Sequence, residues 1–105
     1  MKEVSNMRRT SSMVYTPSDE ARELYICTIN NGDVYPQIQA VIANLTKKYK
    51  KGSYNKDLAV DAWYHVAEHE AVIYYKEFGY KFTVTERFTC AVDLEEYYRE
   101  QVQEQ

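Results

Sequence analysis

A chain of 105 residues, 45% hydrophobic with three Gly and two Pro, is long enough for one modest core and too short for two. Its scarcity of helix breakers argues against disorder and loop-rich folds. The formal charge of −3 hides a division: residues 1–56 carry nine Lys/Arg against five Asp/Glu, a balance of +4, whereas residues 57–105 carry four against eleven, a balance of −7. No stretch approaches the roughly 20 apolar residues that cross a bilayer, and no apolar run follows Arg8-Arg9 as a secretion signal requires, so a soluble, cytoplasmic protein is expected.

Met1 to Val14 mixes Arg, Ser and Thr without a period and reads as a mobile arm, leaving 15–105 as a single helical domain. Thr16-Pro17-Ser18-Asp19 reads as a helix start, with a Thr cap and Pro at the first helical position. Ala21, Leu24, Tyr25, Thr28 and Ile29 then mark one buried stripe of a first helix over about 17–30, ended by Asn30-Asn31-Gly32. Asp33 can cap a second helix, where Tyr35, Ile38, Ile42, Leu45 and Tyr49 recur at helical spacing and Pro36 falls harmlessly in the first turn. Lys47, Lys48, Lys50 and Lys51 oppose the dipole at its end, Gly52 can close it in the left-handed conformation, and Ser53 or Asn55 can cap the next helix.

The third helix runs from about 56 to 78. Val60, Trp63, Tyr64, Ala67, Ala71, Tyr74, Tyr75 and Phe78 share one face, which Leu58, Ala62, Val66 and Ile73 widen. So broad an apolar arc belongs to a central helix. Gly79 stops it, and Tyr80 to Val84 reads as an extended linker, because one short strand without a partner makes no sheet. Thr83-Val84-Thr85-Glu86 is a capping box opening a fourth helix that ends near 102, with Val84, Phe88, Ala91, Leu94, Tyr98 and Val102 inward. The expected fold is all-α, a compact bundle of four helices with a flexible N-terminal arm, the short loops favouring antiparallel neighbours.

Candidate chemistry is sparse. His65-Val66-Ala67-Glu68-His69 spells the inverted zinc-protease motif, with two histidines one turn apart, but lies off the main apolar stripe and has no third ligand in view. Cys27 and Cys90 have no metal spacing around them and read as buried thiols. There is no Gly-rich phosphate loop and no arrangement that activates a nucleophile, so neither an enzyme nor a cofactor is expected. Asn44-Leu45-Thr46 matches a glycosylation acceptor but falls inside a helical pattern, where it is a chance match.

Two binding surfaces remain. The fourth helix carries Asp93, Glu95, Glu96 and Glu100 around Tyr97, an acidic row able to imitate phosphates and enter the basic groove of a nucleic-acid enzyme. Alternatively, Lys47, Lys48, Lys50, Lys51 and Lys56, interleaved with Tyr49 and Tyr54, can hold phosphates while the rings stack on bases. Eleven tyrosines suit either use, since each joins a large apolar ring to a hydroxyl that wants a partner.

Thr16-Pro17-Ser18 to Glu23-Leu24, Ala43-Asn44-Leu45, Lys47-Lys48-Tyr49-Lys50-Lys51-Gly52 and Tyr74-Tyr75-Lys76-Glu77-Phe78-Gly79 together resemble a family of small all-helical proteins encoded by tailed bacteriophages. The resemblance spans roughly Tyr15 to the C-terminus, implies the helical fold and a viral origin, and carries no established activity. By analogy with such accessory proteins, it implies stoichiometric binding to a host protein, for example inhibition of a defence nuclease such as a CRISPR effector.

Overall fold

The computed structural model describes residues 14–104, so the proposed N-terminal arm, with Arg8 and Arg9, lies outside the described residues save for Val14. Among these residues four helices follow one another: α1 (Asp19–Asn30), α2 (Tyr35–Lys50), α3 (Lys56–Phe78) and α4 (Val84–Glu104). The described residues form an all-α, four-helix globule with extents of 40 × 39 × 19 Å.

Local chemistry sets most helix ends. At the α2–α3 junction Gly52 has φ 76°, and the Ser53 and Gly52 amides donate to the Lys48 and Tyr49 carbonyls at 2.9 and 3.0 Å, closing the helix as a Schellman motif. Asn55 then caps α3, its Oδ1 accepting from the Leu58 amide. Gly79, φ 78°, ends α3, and the capping box forms in full: the Glu86 amide donates to Thr83 Oγ1 at 3.0 Å and the Thr83 amide to Glu86 Oε1 at 2.9 Å.

Two starts differ from expectation. Ser18, not Thr16, caps α1, its Oγ accepting from the Ala21 amide. The Thr16 amide instead donates to Thr89 Oγ1 on α4, and a residue before proline is in any case pushed away from helical torsions. Nor does Asp33 cap α2. Val34 holds that position without a side-chain bond, buried in the core, while Asn31 Oδ1 accepts from the Asp33 amide and shapes the turn.

The largest interface joins α3 to α4, and α1 and α2 each pack onto that pair while touching one another only marginally. The expected antiparallel pairing of the first two helices therefore does not form. Trp63, Leu24, Ile38, Ile42, Val66, Leu94 and Val102 fill the core, and Phe82 plugs it from the 79–83 linker. The exceptions to the expected stripes sit at helix ends. Tyr35, Tyr49, Leu58, Tyr75, Phe78 and Val84 are exposed, since the terminal turns reach past the neighbours that would cover them. Cys90 is buried as expected, but Cys27 is only half-buried; burial, reinforced by Glu23, pushes its thiol up to about 11, and burial pushes Cys90 up to about 12.

Candidate binding surface

Helical phase sorts the acidic residues of α4 into two groups. Asp93, Glu96, Tyr97 and Glu100 follow i, i+3, i+4, i+7 spacing and share one face. Glu96 and Glu100 are exposed, and Tyr97 is 55% exposed. Its ring meets Tyr25 of α1 edge-on at 6.0 Å and Tyr98 at 4.8 Å, and Tyr98 stacks on Trp63 at 4.8 Å. An exposed ring is thereby held against two others that are anchored in the core. Asp93 is half-buried and accepts from the Tyr15 hydroxyl at 3.0 Å; burial raises its carboxyl, while that bond and nearby Arg22 oppose the rise. The Arg22 guanidinium lies over the Tyr25 ring, 5.5 Å from its centroid.

Glu95 does not belong to this face. Its residue is 0% exposed, and its carboxylate accepts from Arg99 Nε at 2.9 Å, Arg99 Nη2 at 2.7 Å and the Tyr54 hydroxyl at 2.6 Å. Burial alone would raise its carboxyl, but the bonds from Arg99 and Tyr54 outweigh it and hold the group below its ordinary value. The Tyr54 bond fastens the α2–α3 junction to α4, and the fork-shaped Arg99 pair, within α4, holds the Glu95 carboxylate charged to receive it. Sequence reading missed this lock because Tyr54 is 41 residues from Glu95; the i, i+4 spacing of Glu95 and Arg99, beside inward Leu94 and Tyr98, was the available signal.

At the lysine junction, Lys47, Lys48, Lys50, Lys51 and Lys56 are all exposed. Tyr49 is exposed beside them, against the buried place its spacing suggested, and meets Tyr54 edge-on at 6.3 Å. The Tyr54 hydroxyl is held by Glu95 and the residue is half-buried, so Tyr49 is the more exposed ring of the pair. In the histidine motif, His65 Nδ1 lies 3.4 Å from Glu68 Oε1 with the His65 side chain 68% exposed. Among the described residues no three His, Cys, Asp or Glu side chains converge to hold a metal ion.

Glu70, a buried carboxylate on α3, also escaped the sequence reading. Asn31 Nδ2 donates to its Oε1 at 2.8 Å, so one side chain both shapes the α1–α2 turn and ties it to α3. Burial raises the Glu70 carboxyl, with the Asn31 bond and His69 opposing. No helix among the described residues is long and apolar enough to cross a membrane. No family model, curated protein or solved structure matches the chain, so the phage resemblance rests on the residues quoted above.

Proposed function

We propose that the protein is a non-enzymatic module that binds and modulates a host protein through the outer face of α4, as a phage accessory protein directed at a nucleic-acid enzyme such as a defence nuclease would. The observation that carries this reading is Tyr97, an exposed ring flanked on its own face by the exposed carboxylates of Glu96 and Glu100 and braced by Tyr25 and Tyr98. A ring held in place loses little freedom on binding, which is why tyrosines serve as interface anchors. The carboxylates around it match a basic cleft and speed encounter with one. The test is affinity capture from nuclease-treated bacterial lysate with tagged wild type, Glu96→Lys/Glu100→Lys, and Lys48→Glu/Lys51→Glu. A stoichiometric protein held by wild type and the lysine variant but released by the α4 variant is expected; retention by the α4 variant refutes the assignment.

A second reading draws on the five exposed lysines, which have no carboxylate within ion-pair distance among the described residues. On that reading the junction binds nucleic acid, and capture disappears with nuclease treatment, falls steeply with salt and is lost in Lys48→Glu/Lys51→Glu.

A further inference from the structure

The acidic half of the chain contains only four cations, Lys76, Lys81, Arg87 and Arg99. Arg99 is consumed by Glu95. The other three converge on one groove of about 390 Å³ between the end of α3, the 79–83 linker and the start of α4, floored by Val72, Tyr75 and Phe82. That volume lies within the roughly 300–1,000 Å³ of small-molecule sites. Arg87 is fixed in the wall: its Nη1 donates to the Phe82 carbonyl, and its Nε donates to the Tyr64 hydroxyl at 3.2 Å. None of the three cations has a carboxylate within ion-pair distance among the described residues, and Glu68, the one acid at the rim, faces His65.

Three cations gathered without an ion-paired carboxylate repel, and the half-exposed Val72 and Tyr75, beside the buried Phe82, leave apolar surface that favours cover. A single kind of ligand answers both conditions. We propose that this groove is a binding site for a small amphiphilic anion, an aryl or short acyl body with a carboxylate or similar acidic head. The body lies on Val72, Tyr75 and Phe82, and the head sits among Lys76, Lys81 and Arg87. The site is independent of the α4 face: Arg87 and Glu96 are nine residues apart, about 180° around the helix.

The test uses 1-anilinonaphthalene-8-sulfonate as the probe, with uncharged N-phenyl-1-naphthylamine as its control. The full chain is titrated by fluorescence and by amide chemical shifts. One saturable sulfonate site is expected, with shifts centred on Val72, Tyr75 and Phe82. Lys76→Gln/Lys81→Gln, both at exposed positions and checked for an unchanged melt, should weaken the anion about tenfold and the neutral probe less than about twofold. Non-saturable binding, shifts centred elsewhere, or equal loss for both probes would overturn the assignment.

Discussion

Replacing Arg99 by Ala tests the account of the α4 lock most directly. The substitution removes both guanidinium bonds from a carboxylate that is itself 0% exposed and leaves Tyr54 as its one hydrogen-bond donor among the described residues. Breaking a buried ion pair from one side costs about 3–5 kcal/mol; because the Arg99 side chain is 38% exposed, water can enter and the expected cost is about 2–3 kcal/mol. For a domain of this size that is a fall in Tm of about 10–15 °C at pH 7. The pH dependence carries the sharper sign. In wild type the Glu95 carboxyl is depressed, so its contribution is present above the unfolded value near pH 4.3 and is lost as pH falls through the folded value. Without Arg99, burial prevails and the folded carboxyl is raised. The variant's deficit should then shrink as pH falls from 7 towards about 4.5, because protonation relieves the stranded charge. Glu95→Gln in the Arg99→Ala background should recover part of the loss at pH 7. Thermal melts by circular dichroism across this range decide the matter: a deficit below about 3 °C at pH 7, or one that does not narrow on acidification, refutes the reasoning.

Glu70 gives the opposite sign. Its raised carboxyl binds a proton more tightly in the folded state, so wild type loses stability as pH rises from the unfolded value through the folded one. Glu70→Gln, which still accepts from Asn31, should be the more stable protein at pH 7, with no advantage below about pH 4; melts showing it no more stable at pH 7 contradict this. Thr83→Ala removes the Oγ1 acceptor of the Glu86 amide and should cost about 1 kcal/mol in urea unfolding with an unchanged m-value. Gly79→Ala meets no atom within 4 Å, so its loss should be limited to backbone strain at φ 78°, about 1 kcal/mol. A loss near 3 kcal/mol would mean that the 79–83 linker had moved.

The parts of the fold legible in the sequence are those whose chemistry is local. The Thr83–Glu86 box, the Asn55 cap and the stops at Gly52 and Gly79 each satisfy backbone groups within a few residues, so residue type alone announces them. Helical spacing likewise identified Leu24, Ile42, Trp63 and Leu94 as inward. Periodicity cannot say how far a neighbouring helix extends, and so Tyr35 and Phe78 continue a buried stripe into open solvent. It also assigns a carboxylate to the outside by default. Glu95 and Glu70 break that rule because Tyr54 and Asn31 approach them from distant points of the chain. Of the acidic residues proposed for binding, Asp93, Glu96 and Glu100 keep a common face with Tyr97, while Glu95 faces the interior. The sequence reading did not single out Lys76, Lys81 and Arg87, because only the folded linker brings them around one hollow.

The ring contacts running inward from Tyr97 give the molecule a native optical reporter. Trp63 is the chain's one tryptophan, and it stacks at 15° on Tyr98, whose edge meets Tyr97 at the surface. A partner that displaces Tyr97 must shift the ring against which the indole is pressed. Intrinsic emission is therefore expected to report binding at the proposed α4 face without a label.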